Sequence, residues 1–398
     1  MGTELSGTSR RGWARLFVLV MAVLPAHPAA SQSFGEKLAL DPPLWDVSGI
    51  EIQAGGAAQG ALFGQSQGGQ KAASGLFSGN LRLRRIFDNG MILGGRGDFL
   101  LYRDALSADN YGGDTVQKLY LFLQMGFGRL DVGQQDGATA ALSLRGPVVD
   151  SKLNLADRGI TLFRDPQSGA SLAGVFAPMI AVAATSNYAK LNYTTPRLFG
   201  VQAGLSFTPQ AVRSPLPFTG NPANTPNGQE NIVEAAVSYT GYFANTAVGM
   251  SAAYTHGSQR NGTPGFSDLS EWQVGAQLAQ TLSEVKLSVG GGYRRTNAYL
   301  LNIAQAFRGR ETGISHLAAS AEWGNWILGV EHSLSNAEGP TDYRIRGYQI
   351  TAGYKVNSNL QISAGWQWFR YRRDAGVFTN GLDRLRLDAA FLTLGYSL

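Results

Sequence analysis

In four stretches of this chain apolar and polar side chains alternate one by one, and no other feature restricts its fold as tightly. Leu360, Ile362, Ala364, Trp366 and Trp368 share one parity, with Gln361, Ser363, Gly365 and Gln367 on the other. Tyr348, Ile350, Ala352 and Tyr354 oppose Gln349, Thr351, Gly353 and Lys355. Val285, Leu287, Val289 and Tyr293 oppose Lys286, Ser288, Gly290, Gly292 and Arg294. At the C-terminus Ala390, Leu392, Leu394, Tyr396 and Leu398 oppose Thr393, Gly395 and Ser397. A helix gathers every third or fourth residue on one face, whereas a strand sends successive side chains to opposite faces. These segments are therefore two-faced strands.

The connections alternate too. Short turns are expected at Asp88-Asn89-Gly90, Gly126-Phe127, Pro196 to Gly200, Ala244-Asn245-Thr246, Ser283-Glu284, Gly324-Asn325 and Asn357-Ser358-Asn359. Long polar loops are expected between them, near 65–76, 103–115, 134–185, 209–229, 257–270, 295–312, 335–342 and 372–383. Short turns at one end and long loops at the other describe an up-and-down meander of about 16 strands. An apolar band about 25 Å tall, crossed at a tilt near 40°, needs roughly 10 residues per strand, which these segments supply.

A soluble sandwich would also alternate, but its loops would not sort by length. Trp323, Trp326, Tyr354, Trp366, Trp368 and Tyr396 lie on the outward parity near strand ends, where an interfacial aromatic girdle belongs. The fold class is thus all-β: a transmembrane antiparallel β-barrel with short periplasmic turns and long outer loops. Only 15% of residues are charged, yet no run of 18 apolar residues follows the first thirty positions, which excludes a bundle of membrane helices. The absence of cysteine excludes disulfides and Cys-ligated metal.

The amino terminus reads as an export signal. Arg10, Arg11 and Arg15 precede the apolar stretch Leu16 to Leu24, ended by Pro25, with Ala29, Ala30 and Ser31 as the small residues of a cleavage site. Residues 1–31 are expected to be removed, 32–47 to form a periplasmic lead-in and 48–398 the barrel. Three Arg and Glu4 leave with the signal, so the formal charge falls from +5 to 30 − 27 = +3, too mild for a nucleic-acid partner.

In a barrel the chemistry sits on the inward parity. Leu81, Leu83 and Phe87 face out, so Arg82 and Arg84 face in, while Arg85 sits near enough to the turn to reach the interface. A lipid-facing Arg at the midplane costs about 2 to 4 kcal/mol, which decides for the lumen at Arg82. In the next strand Met91, Leu93, Phe99 and Leu101 face out, placing Arg96 and Asp98 inside. Equal parity across the turn requires a three-residue connection with Phe87 opposite Met91, which sets Arg82 directly across from Arg96. Like charges so placed repel, and folding alone gives no reason for them. With Lys118 and Arg129 they form the expected basic wall of a pore constriction; the alternative is that Arg96 simply pairs with Asp98 or a loop acid on a wet wall, with no role in transport. Tyr120, Phe122 and Tyr188 are inward aromatics that either stack on sugars or pack beneath the long loop. His256, His316 and His332 are too scattered for a metal site, and the glycine clusters 94–97 and 290–292 lack the Lys-Ser/Thr of a phosphate loop.

Three segments resemble the Gram-negative general porin family. They are Phe87 to Gly94; Leu119-Tyr120-Leu121 through Gly126-Phe127-Gly128-Arg129-Leu130-Asp131-Val132-Gly133-Gln134; and Asn187 to Tyr193 with Pro196 and Gly200-Val201. The resemblance implies that segment 134–185 folds into the lumen, so that Asp150, Asp157 and Asp165 face the arginines, with Arg145, Lys152, Arg158 and Arg164 on the same loop. It also implies a homotrimer in the outer membrane of a Gram-negative bacterium, in contact with membrane lipid and lipopolysaccharide. The expected function is passive diffusion of small hydrophilic solutes and ions, without cofactor or catalytic step and with a slight preference for anions. The alternative is a sugar- or anion-selective channel. A barrel enzyme or an adhesin ranks lower: His256 and His332 have the outward parity, but no Ser and acid accompany them.

Overall fold

A computed structural model describes residues 41–69, 71–103, 116–150, 153–155, 163–164, 166, 185, 188–211, 228–262, 264–299, 302–306, 311–338, 343–373 and 384–398. A short strand β1 (Leu44–Val47) precedes β2 (Ile50–Gln65), β3 (Lys71–Ile86), β4 (Ile92–Arg103), β5 (Val116–Met125) and β6 (Gly128–Gln135). A one-turn helix α1 (Ala138–Leu142) separates them from β7 (Tyr188–Thr194), β8 (Val201–Gln210), β9 (Gln229–Phe243), β10 (Thr246–Gln259), β11 (Leu269–Leu282) and β12 (Val285–Thr296). A small hairpin, β13 (Ala298–Tyr299) and β14 (Asn302–Ala306), leads to β15 (Glu311–Trp323), β16 (Trp326–Glu338), β17 (Tyr343–Lys355), β18 (Leu360–Arg373) and β19 (Arg384–Ser397).

Every long strand pairs antiparallel with its neighbours in sequence, and β19 returns to β2 with Ser397 opposite Ala57 and Ala389 opposite Gln65. The result is a closed barrel of sixteen strands with one extra strand, β1. Closure removes the sheet edges that an open sheet would expose. Just beyond the end of β19, β1 covers the free edge of β2, with Leu44 opposite Gln53 and Val47 opposite Ile50. The last residues of the expected lead-in are therefore part of the sheet. The expected signal, 1–31, lies outside the described residues.

The side-chain parity is that of a barrel in lipid. On β9 and β10 the outward positions Val233, Val237, Met250 and Tyr254 are exposed, while Glu234, Ser238, Ser251 and Thr255 are buried on the inside. Apolar side chains thus face lipid, and polar ones line an interior of backbone and water. Near the short-turn end Trp323 pairs with Trp326, which lies 4.8 Å from the Tyr354 ring. At the other end Trp272 meets Tyr293 at 5.1 Å and Tyr348 pairs with Trp368. All seven expected short turns join strands at one end. Two connections differ from expectation: 295–312 carries the β13–β14 hairpin, and 65–76 shrinks to the few residues between Gln65 and Lys71, because Ala72 and Ala73 continue the ladder opposite Phe63 and Leu62. Small, weakly patterned residues hide a strand whose pairing is fixed by its neighbour.

Candidate functional site

The turn between β3 and β4 sets the register of the basic residues. Phe87 N–H donates to the Met91 carbonyl (2.9 Å), and Gly90, at φ 79°, occupies the left-handed position that closes a three-residue loop. Arg82 then sits opposite Arg96, which sits opposite Tyr120 on β5. Arg85 is outward and exposed near the turn, its guanidinium 5.2 Å from the Phe87 ring.

Four of the five basic residues have a carboxylate on hand. Arg84 pairs with Glu51 on β2, Arg96 with Asp98 at 2.8 Å, Lys118 with Asp136, and Arg129 with Asp131 at 2.6 Å. Among the described residues Arg82 has no such partner; its guanidinium lies 5.8 Å from the Phe122 ring, which Arg129 covers at 4.0 Å. Phe122, 2% exposed, is thus a floor beneath two guanidiniums, a cation–π arrangement that holds them level with the wall. Five bases less four acids leave this wall a net charge of +1, centred on Arg82. Tyr188 packs in a buried cluster with Ala211, Ile232, Leu269 and Ala298, so it is no open stacking surface.

The segment after β6 turns into the lumen. Its backbone N–H groups donate to inward side chains: Ala138 to Ser206 Oγ, Thr139 to Glu234 Oε2 (3.1 Å), Leu144 to Ser251 Oγ (2.8 Å) and Leu155 to Glu331 Oε2 (2.9 Å). Its carbonyls accept from the wall, Val149 from Gln361 and Leu153 from Gln349. Arg164 and Gln65 exchange two backbone-to-amide bonds at 2.9 and 3.0 Å. Phe163 sits edge-on to Phe63 and Phe369, at 5.1 and 4.9 Å. These anchors fall on β8 to β10, β16 to β18 and β2, while the complementary arc, β3 to β6, carries the basic residues.

Asp150 belongs to the fastening and does not face Arg82. It is 2% exposed, accepts from Leu153 N–H at 2.7 Å and accepts the Thr393 hydroxyl of β19. With one oxygen on the Leu153 N–H, the other on the Thr393 hydroxyl and almost no exposed surface, this carboxylate is turned onto β19. Asp157 and Asp165 lie outside the described residues. The acids that meet the arginines come instead from the wall itself and from Asp136.

Buried charges extend this fastening. Lys190 donates to the carbonyls of Gln135 and Thr185, and Thr185 donates its hydroxyl to Glu234. Arg294 pairs with Glu271, both nearly inaccessible, and His316 meets Glu331 at 3.2 Å. Their signal in the sequence is a charge on the inward parity of a two-faced strand. Among the described residues no group of three or more His, Asp or Glu could hold a metal.

Wall glycines let the loop lie flat. A Cβ at Gly275 would come within 2.1 Å of the Leu144 carbonyl oxygen, which is backbone and has no rotamer with which to yield. Gly275→Val is expected to lift residues near Leu144 into the lumen, lowering single-channel conductance and removing about 1 kcal/mol with the Leu144–Ser251 hydrogen bond. Unchanged conductance would show that this stretch does not bound the channel.

The sequence model described as Gram-negative porin matches residues 16–396. No curated protein matches the chain. Among solved structures it is similar to the outer membrane channel DcaP of Acinetobacter baumannii, with TM-score 0.59, 9% identity and 89% of this chain and 99% of that one covered. It is also similar to an anion-selective porin from Comamonas acidovorans, with TM-score 0.54, 13% identity and 88% and 100% coverage. The trimer form of OmpT from Vibrio cholerae gives TM-score 0.56 at 11% identity, with 88% and 100% coverage. At these identities the structures speak for the fold alone. A sixteen-strand barrel with an apolar outside, a polar lumen and an infolded loop agrees with a family match over nearly the whole length. The chain belongs to the Gram-negative porin family and forms an outer-membrane channel for passive diffusion.

Proposed function

We propose that this channel passes small hydrophilic solutes and ions with a slight preference for anions, set by the wall around Arg82, Arg84, Arg96, Lys118 and Arg129. The observation that carries the reading is the Arg82 guanidinium, which has no carboxylate partner among the described residues, while its four neighbours do. A fixed net positive charge in a narrow aqueous passage raises the local concentration of anions and lowers that of cations. No step in this reading makes or breaks a covalent bond. The mature protein begins after residue 31, and the assembly is a homotrimer, the form in which OmpT of Vibrio cholerae has been seen. Membrane lipid and lipopolysaccharide surround its outer face.

Planar-bilayer recording tests this directly. Folded protein is expected to insert in discrete ohmic steps, and under a salt gradient the reversal potential should carry the sign of anion preference. Correctly folded protein that passes no current would reject the channel; a cation-selective reversal potential would reject the wall.

A further inference from the structure

Six arginines project from the lipid-facing side of β17 to β19 at the long-loop end. Arg346, Arg370 and Arg386 stand side by side in register, and Arg344, Arg372 and Arg384 form the next row outward. All six have the outward parity: Arg346 is half-buried and the other five are exposed. They continue the face of Ile350, Tyr348 and Trp368, which are exposed toward lipid.

Their height is set by strand geometry. Arg386 lies ten positions before Tyr396 on β19, and at about 3.4 Å per residue and a tilt near 40° that is roughly 26 Å above the lower aromatic girdle. The apolar band is about 25 Å tall, so the first row sits at its upper edge and the second about 5 Å beyond, among headgroups. Because the long loops of such barrels are extracellular, this is the outer leaflet.

Nothing within the described protein neutralises the grid: none of the six arginines is in an ion pair. Other charges at the same rim are paired, Arg295 with Glu311 and Arg260 with Glu230. The acid one row below, Asp388, accepts from the Gln67 side chain at 2.6 Å, and its N–H donates back to Gln67 at 3.0 Å. Like charges directly opposite across strands repel, so folding disfavours the arrangement. A multivalent anion reverses the sign. Guanidiniums bind phosphate through paired N–H donors, and a grid about 10 Å by 7 Å matches a sugar headgroup bearing more than one phosphate.

We propose that the outward arginine grid of β17 to β19 is a binding site for a phosphorylated glycolipid of the outer leaflet, gripped by its phosphates while its acyl chains lie along Tyr348, Ile350 and Trp368. This rests on the outer-membrane reading above and names the surface that meets the lipid.

The test uses the detergent-solubilised full chain and three probes: diphosphoryl lipid A, lipid A stripped of phosphate, and inorganic phosphate. Diphosphoryl lipid A is expected to bind saturably, as read by a native-gel shift, and the dephosphorylated form at least about tenfold more weakly, the loss expected for several charge-assisted hydrogen bonds. Millimolar inorganic phosphate should not displace the lipid, because it brings neither chains nor a second charge. The triple variant R346Q/R370Q/R386Q should lose about the same tenfold while keeping heat-modifiable migration and bilayer conductance. If that variant does not fold, the outer-row variant R344Q/R372Q/R384Q serves, with the same expectation. Equal binding of both lipid forms, undiminished binding by a folded variant, or a variant that falls from oligomer to monomer with its lipid affinity intact would overturn the site. Wild-type protein that conducts but binds no lipid A removes the grid and leaves the channel standing; loss of conductance would instead strike the channel reading, whatever the lipid does.

Discussion

Replacing Arg82 and Arg96 together by alanine is expected to turn the channel from weakly anion-preferring to weakly cation-preferring. The two substitutions act differently. Removing Arg82 deletes a charge that has no carboxylate partner among the described residues, whereas removing Arg96 frees Asp98, to which it is bound at 2.8 Å. The wall's balance moves from five bases against four acids to three against four, from +1 to −1. A permeating ion about 5 Å from one charge in water feels about 0.8 kcal/mol, which screening at 0.1 M salt reduces to about 0.5 kcal/mol. That is about twofold in the local concentration of each ion and, because anions and cations respond oppositely, about fivefold in permeability ratio per charge and roughly thirtyfold for the pair. A reversal potential measured across a salt gradient should cross zero at low ionic strength and converge with wild type at 1 M salt. Asp98→Asn is the complementary case: it frees Arg96 and should strengthen the anion preference. If neither variant moves the reversal potential, the selectivity of the channel is set elsewhere than on this arc.

The arginine register was legible from sequence because each step in it is local. Parity on β3 and β4 needs only neighbouring residues, and the three-residue turn from Asp88 to Gly90 then leaves one pairing. The strand count was legible for the same reason, since seven short turns carry their own chemistry. The path of the inner loop was not. Asp150 bonds Thr393 and Leu155 bonds Glu331, across separations of 243 and 176 residues, and no local pattern encodes which arc of a closed ring a loop will meet. An acid on that loop reads equally well as a lumen charge or as a fastening, and Asp150 proves to be a fastening. The pairing of Arg84 with Glu51 and of Lys118 with the loop acid Asp136 is hidden for a related reason: the charge of a wall is decided by pairs across strands and between strand and loop, which no single strand displays. The outer arginine grid lies between these cases. Its parity continues from Tyr348 and Trp368, but six arginines scattered over 43 positions, from 344 to 386, become a cluster only when three strands stand in register.

Glu234→Leu is expected to loosen the inner loop while leaving the barrel closed, and Lys190→Met in the same chain to restore much of what is lost. Glu234 is 1% exposed and accepts from the Thr139 N–H and the Thr185 hydroxyl, whose own carbonyl accepts from Lys190, 4% exposed. Removing the carboxylate leaves the buried Lys190 ammonium with Asp136 as its remaining acidic neighbour among the described residues and deprives the Thr139 N–H and the Thr185 hydroxyl of their acceptor, a loss of two buried charge-assisted hydrogen bonds that costs about 3 to 6 kcal/mol. The sheet itself is unaffected, because β9 keeps its full ladders to β8 and β10. The loss therefore falls on α1 and the segment it leads, and the expected phenotype is a lower temperature of loss of the compact gel form with noisier open-channel current. Exchanging two buried opposite charges together for apolar side chains is often neutral or stabilising, and Lys190 and Glu234 are such charges, joined through Thr185. The double variant should therefore regain thermal stability and quiet current if the pair serves to hold the loop. A single variant as stable and as quiet as wild type would show that Glu234 carries no such load. A double variant no better than the single would assign the defect to lost packing around Thr139 and not to the stranded charge.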